Sequence, residues 1–209
     1  MLRSASLIFW DFDGVIKDSV SAKAEALERL FSSYGTPLAK KVRLHHEANG
    51  GMSRYEKMPL YLAWAGEAAG EKQVREFCDR FGALARQSVL DAPWVPGVRE
   101  YLDANYARQD FALVTAAPLE ECRQILETLD IARCFREVHG APKPKTEAVA
   151  DILRRWDCRP EKALVVGDSE ADLAAAEANG VAFLLRRTAH NGSLQKRYAG
   201  PKFDHLAHE

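Results

Sequence analysis

The sequence predicts an α/β protein: a doubly wound parallel sheet with a small α-helical domain inserted after its first strand. Three observations predict it. Short, continuously apolar runs recur and end in polar residues or glycine. Helix-period stripes lie between the later runs. The stretch from Gly14 to Pro93, which separates the first run from the second, is too long for an ordinary crossover and reads as helices.

The strands follow in order. Leu7-Ile8-Phe9-Trp10 is apolar without alternation, the pattern of a strand covered on both faces. Phe111 to Thr115 and Ala163 to Gly167 have the same form. Val181 to Leu185 is another, and Phe135 to Val138 a weaker one. Cys122, Ile125, Leu126 and Leu129 share one helical face, and Val149, Ile152, Leu153 and Trp156 share a second.

Within the insertion, Ala24, Leu27, Phe31 and Tyr34 form a stripe that Gly35 and Pro37 stop. Val74, Phe77, Phe81 and Leu84 form another. Asn49-Gly50-Gly51 breaks the segment, and Ser53 with Glu56 resembles a capping box, although Pro59 argues against a continuous helix there. Pro93 to Gly97 reads as a stiff return linker. The expected organisation is a core of residues 1–16 and 94–209 and a helical domain of 17–93. The stretch 188–209 is polar and basic up to Phe203, and its composition assigns it no element.

The 209 residues carry 29 Lys+Arg against 30 Asp+Glu, so the chain has no electrostatic footprint for nucleic acid or an anionic membrane surface. No apolar run approaches the ~20 residues that span a bilayer. Asp11 and Asp13 follow the first apolar run at once, so no signal peptide is expected. Cys78, Cys122, Cys134 and Cys158 lack metal-site spacing and are expected as free thiols of a reducing cytoplasm. Oligomeric state is not legible.

The chemistry concentrates at strand ends. Asp11-Phe12-Asp13-Gly14-Val15 closes the first strand, and Gly14 permits the turn that separates the two carboxylates. Gly167-Asp168-Ser169-Glu170-Ala171-Asp172 closes a later strand and opens a helix. Open parallel sheets place their sites at such ends. Any one of these aspartates could be a helix cap or turn residue. Asp11, Asp13 and Asp168 together are three anions that need a cation, and hard oxygen ligands with room for water suit Mg²⁺. Thr115 ends the second strand, where its hydroxyl and the following amides can donate to an anion. Lys143 and Lys145 precede a helix in Gly140-Ala141-Pro142-Lys143-Pro144-Lys145-Thr146-Glu147, where an ammonium can neutralise phosphate oxygens.

This set, in this order, resembles the haloacid dehalogenase superfamily of phosphohydrolases. The resemblance spans about residues 6–187, and the insertion looks like the helical cap of phosphoglycolate phosphatase-like and β-phosphoglucomutase-like members. It implies a Rossmann-like core and a Mg²⁺-dependent phosphatase acting on a small phosphorylated metabolite, a sugar phosphate or a phosphoglycolate-like ester. Asp11 would be the nucleophile that forms an aspartyl-phosphate, and Asp13 the acid and then the base. Thr115, the Ala116 amide and a lysine would hold the phosphoryl group. Lys145 fits the Gly-Ser-Pro-x-x-Lys-x-Glu form and is favoured, while Lys143 fits the Lys-Pro form. Mg²⁺ would be held by Asp11, the Asp13 carbonyl and Asp168, with Asp172 orienting a ligand or metal-bound water from behind.

The polar stretch from His45 to Lys57 is a candidate substrate loop. Arg54 would take a second anionic group, His46 or Asn49 hydroxyls, and two glycines would allow close approach to a ligand. A phosphomutase handing the same phosphoaspartate back to substrate is the alternative. Less favoured are a metal-free dehalogenase, which has no use for Asp13 and Asp168, and a non-catalytic phospho-acceptor module, which has no inserted lid.

Overall fold

The computed structural model describes residues 1–206. Six strands form one parallel sheet: β1 (Leu7–Trp10), β2 (Asp110–Pro118), β3 (Glu137–Ala141), β4 (Ala163–Gly167), β5 (Ala182–Arg186) and β6 (Lys202–Phe203). Their spatial order is β3-β2-β1-β4-β5-β6. The chain winds outward from β1 through β2 to β3, then crosses back to β4 and winds out the other way. β1 is therefore the switch point, where the crossovers leave on opposite sides and open a crevice at the strand C-termini. The register puts Trp10 opposite both Leu113 and Val166, so the residues following all three strands emerge side by side.

Strand alternation separates two hydrophobic layers. Ile8, Trp10, Leu113 and Val166 pack against Val98 and Leu102 of α5 (Val98–Asn105) and Cys122, Ile125 and Leu126 of α6 (Leu119–Thr128). Leu7, Phe9, Val114 and Val165 pack against Val149 and Ile152 of α7 (Lys145–Arg155) and Leu173 and Ala176 of α8 (Glu170–Ala178). Covering both faces explains why these strands are apolar at every position.

Between β1 and α5 lie α1 (Val20–Leu30), α2 (Thr36–Ala48), α3 (Arg54–Trp64) and α4 (Glu71–Asp91). They share a separate hydrophobic cluster that includes Leu27, Phe31, Val42, Met58, Tyr61, Leu62, Phe77 and Phe81. The chain enters and leaves through adjacent strands of backbone, where Val95 N donates to the Ile16 carbonyl at 3.0 Å and Asp18 N to the Pro93 carbonyl at 2.8 Å.

Four local expectations change. α3 continues through Pro59. The proline removes one hydrogen bond to the turn before it, while the Ser53–Glu56 capping box and the buried Met58, Tyr61 and Leu62 secure the helix on either side. Pro37 does not stop a helix but sits in the first turn of α2, where its missing N–H costs nothing. β3 starts at Glu137, because Phe135 is buried in the core before the strand begins. The described part of the tail, 188–206, carries two elements: α9 (Gly192–Arg197) buries Leu194, and β6 extends the sheet by pairing Phe203 with Arg186; 207–209 lie outside the described residues. Cys78, Cys122, Cys134 and Cys158 are free thiols, with only Cys158 partly exposed. Among the described residues, no helix is long and apolar enough to cross a membrane.

Candidate active site

Past Trp10 the chain still pairs once with β4, through Asp11 N and the Val166 carbonyl at 2.9 Å, and then turns away. Gly14 makes the turn at φ +76°, and a β-carbon there would collide with Asp168 Oδ2. Glycine is therefore required twice, for backbone conformation and for closeness to the carboxylate on β4. The turn sends Asp11 and Asp13 to different neighbours.

Asp11 faces Lys145 and the end of β4. Its Oδ1 accepts from Lys145 Nζ at 2.9 Å, and the same ammonium lies 2.7 Å from Asp172 Oδ1. Asp11, Asp168 and Asp172 are all buried and offer carboxylate oxygens within 4.8 Å of one another. Burial, then Asp172, raises the Asp11 carboxyl to about 7 despite Lys145. Burial, Asp11 and Asp172 raise Asp168 well above the carboxylate range. Lys145 is held charged, because Asp11 and Asp172 outweigh the cost of its burial. One ammonium thus serves three anions, a deficit of positive charge.

The donor set fits a divalent cation. The Asp168 carboxylate accepts no hydrogen bond among the described residues, and one oxygen of Asp11 stays clear of Lys145. Both are hard, unspent donors, which suits Mg²⁺. Asp172 differs: Oδ1 takes Lys145, and Oδ2 accepts from Ser169 N at 3.1 Å and Ser169 Oγ at 2.5 Å in the cap of α8. Its lone pairs are committed, which fits a supporting position behind the ligands.

Asp13 points toward the inserted helices. Its Oδ1 accepts from Ser19 Oγ at 2.6 Å and its Oδ2 from Lys23 Nζ at 2.5 Å. Burial would push the Asp13 carboxyl up, but the Lys23 ammonium and the hydrogen bonds from Lys23 and Ser19 pull it below its usual value. Its side chain is therefore turned from the Asp11–Asp168 pair, leaving the backbone carbonyl as its available metal donor.

Thr115 does not end its strand, because β2 runs on to Pro118; it is buried within β2, and its Oγ1 accepts from Ala117 N at 3.2 Å. Ala116 and Ala117 line the cavity beside Asp13 and Asp168. Lys145 reaches this cluster from the first residue of α7. Lys143 does not: it turns outward to an ion pair with Asp151.

The cavity extends under the inserted helices, bounded by Val20, Leu27, His46, Lys57, Met58 and Phe81 among others. His46 and Arg54 line it, but both are engaged. His46 Nδ1 accepts from Lys57 Nζ at 3.2 Å, and burial, then Lys57, keeps the imidazole neutral. Arg54 Nη2 pairs with Glu121 of α6 at 2.8 Å, and Nη1 donates to the Cys78 carbonyl. Arg54 therefore straps the inserted helices to the core. Asn49 borders a neighbouring crevice near Ser169 and donates to the His45 carbonyl. The close approach suggested by the two glycines is made to protein at Gly51, where a β-carbon would collide with Ala171 and Ser169.

Lys23, Ser19 and Lys57 were not singled out in the sequence. A signal existed: Lys23 adjoins the apolar position Ala24 in α1, and Lys57 sits with Met58 and Tyr61 on the buried side of α3. A lysine within an apolar stripe is a charge that the fold must accommodate.

A parallel sheet with clustered aspartates and a buried lysine at its strand ends, and four helices inserted after its first strand, defines the class as α/β with a helical insertion. Residues 5–180 match the family model described as haloacid dehalogenase-like hydrolase, and the chain belongs to that family. It is similar to the phosphoglycolate phosphatase of Pseudomonas putida, 28% identical over 187 residues, which covers 84% of this chain and 66% of the relative. It is 29% identical to the phosphorylated carbohydrates phosphatase of Thermotoga maritima, covering 83% of this chain and 81% of that protein. In fold it resembles a predicted phosphoglycolate phosphatase from Haemophilus somnus, with TM-score 0.75, 22% identity, and 97% and 95% of the two chains covered. It also resembles a haloacid dehalogenase-like family hydrolase from Streptococcus pneumoniae, with TM-score 0.69, 18% identity, and 96% and 94% covered.

Proposed function

We propose that this protein is a Mg²⁺-dependent phosphatase that hydrolyses a small phosphorylated metabolite, a sugar phosphate or phosphoglycolate-like ester, through an aspartyl-phosphate on Asp11. Residues 17–93 act as the cap over a core made of 1–16 and 94–209. The reading is carried by one observation: Asp11 lies buried against Lys145 with a carboxylate oxygen within 4.8 Å of one on Asp168, which together with Asp13 lines the cavity under the inserted helices. The names of the two bacterial phosphatases support it.

In the first half-reaction an Asp11 oxygen bonds to phosphorus and the ester P–O bond breaks. The departing oxygen takes a proton from Asp13. In the second, water gives a proton to Asp13 and attacks phosphorus. The Asp11–phosphorus link breaks, releasing inorganic phosphate and restoring Asp11. A bound Mg²⁺ supplies positive charge for the phosphoryl oxygens and keeps Asp11 ionised. Lys145 adds the second charge, and Thr115 with the Ala116 amide orients the phosphoryl group.

Asp13 is held anionic by Lys23 and Ser19, which suits its second task. For the first it needs a proton. A substrate dianion beside it raises its proton affinity and competes for Lys23, which reverses the bias. General acid help of this kind contributes ~10²–10⁴-fold.

The test is phosphate release from a panel of phosphorylated sugars and short acids, with Mg²⁺ and with EDTA. Release that depends on Mg²⁺ and is stoichiometric with ester consumed supports the hydrolase over the phosphomutase. No release from any ester, p-nitrophenyl phosphate included, or undiminished release in EDTA, refutes the reading.

A further inference from the structure

We propose that Lys57 is the specificity-determining residue of the cap, and that it binds a carboxylate on the leaving group, so that the substrate is a phosphorylated short-chain carboxylic acid rather than a sugar phosphate. The inference rests on the phosphatase reading above and narrows it.

Charge pairing around the cavity carries the argument. Three cationic side chains line it: Lys23, Arg54 and Lys57. Lys23 is neutralised by Asp13 at 2.5 Å and Arg54 by Glu121 at 2.8 Å. Lys57 has no carboxylate partner among the described residues. Its one hydrogen bond is to the neutral imidazole of His46, although its side chain is only 2% exposed. A buried ammonium without a counter-ion is costly, and a fold that keeps one in a substrate cavity is short of an anion there. Burial, then the charge of Lys23, pulls the Lys57 ammonium down to about 7, and the more distant Asp13 and Glu56 offset this only in part. A ligand carboxylate would complete the offset.

Much of the remaining wall disfavours the other class. Val20, Leu27, Met58 and Phe81 offer no hydrogen bonds, and the Tyr61 hydroxyl is already paired with His45 Nδ1 at 3.0 Å. The ring hydroxyls of a sugar would be buried unpaired against these groups. The cavity leaves about 40 Å³ for the centres of water-sized molecules, on the order of three waters, which favours a short tail of one or two carbons and a carboxylate over a hexose ring. Lys57 and Asp13 border the same space. An ester whose leaving oxygen meets Asp13 therefore directs a short acyl tail at the ammonium.

The test compares 2-phosphoglycolate with 2-hydroxyethyl phosphate, which has a neutral tail of similar length, in wild type, Lys57→Met and Lys57→Gln with Mg²⁺. In wild type, kcat/KM for the acid exceeds that for the neutral ester by about 10- to 100-fold, the worth of a buried charge-assisted hydrogen bond. In both variants the ratio falls toward one, chiefly through KM for the acid. The ratio is read within each protein, so partial loss of folded enzyme does not alter it. A wild-type ratio near one, a ratio that survives both substitutions, or cleavage of p-nitrophenyl phosphate alone overturns this inference and leaves the phosphatase reading standing. If no ester is cleaved, p-nitrophenyl phosphate included, the phosphatase reading falls and takes the inference with it.

Discussion

Replacing Lys145 with methionine keeps most of its volume and removes the one ammonium that touches the carboxylate cluster. Its Nζ lies 2.9 Å from Asp11 and 2.7 Å from Asp172, and the side chain is almost fully buried. Removing one partner of a buried ion pair costs about 3–5 kcal/mol, because the other partner stays buried and uncompensated. At about 2–4 °C per kcal/mol for a domain of this size, the melting temperature at pH 8 in EDTA falls by roughly 6–20 °C. The deficit depends on pH, with a sign that separates charge from packing. Asp11 already holds its proton up to about 7 with Lys145 present, and without it the proton is held to higher pH. By pH 5 Asp11 is neutral in both proteins, so the attraction to Lys145 is largely gone from wild type too and the gap narrows. A packing defect would be the same at both pH values. Activity falls together with stability at pH 8, with kcat down by about 10²–10³-fold, as for removal of an electrostatic donor to the transferring group. Lys143→Met is the matched control, since that lysine pairs with Asp151 at the surface. Thermal melts at pH 5 and pH 8, with phosphate release measured beside them, decide the matter. An equal melting deficit at both pH values, or kcat within about threefold of wild type, would refute the reasoning.

Three further outcomes follow from the same geometry. Asp11→Asn abolishes turnover and leaves no phosphorylated protein by intact mass, whereas Asp13→Asn slows turnover by about 10²–10⁴-fold; near-wild-type release by Asp11→Asn removes the nucleophile assignment. In EDTA the wild-type protein loses stability as pH rises from 3.8 to about 7 and is level beyond, because the Asp11 carboxyl is raised across that window on folding and the folded state holds the extra proton within it. The loss is about 4 kcal/mol from this group, and Mg²⁺ abolishes it; a pH-independent melting temperature in EDTA contradicts the deficit of positive charge. The Lys57 ammonium loses its proton above about 7 in the empty cavity, so KM for 2-phosphoglycolate rises by up to about tenfold per pH unit beyond that point. Lys57→Met flattens the rise, and a flat wild-type profile argues that Lys57 does not meet the substrate.

Residue pattern alone was enough to read the core and to point to the candidate site residues near strand ends. Leu7 to Trp10, Phe111 to Thr115 and Ala163 to Gly167 are apolar at every position because both faces of the sheet are covered, and that signal is local. Asp11 and Asp168 directly follow such a run, Asp13 lies two residues past Asp11, and Thr115 closes the run within β2, so finding the strand finds the residue. The helical insertion was legible as a whole but not in each helix. α2 buries only Ala39, Val42 and His46, too few to form a clear stripe, and α3 carries a proline that its cap and buried face override.

What only the tertiary structure decided is which charge meets which. Lys143 and Lys145 are two residues apart and equivalent by composition, yet entry into α7 turns one to Asp151 at the surface and the other to Asp11. Asp13 and Lys23 are held together by the angle at which α1 leaves β1, and Arg54 meets Glu121 only because α3 packs near α6. Among the described residues Lys57 stands without a carboxylate partner for the same reason. A strand declares itself through its own successive side chains, whereas an ion pair is set by the distance between atoms on separate elements, and the order of residues along the chain does not contain that distance.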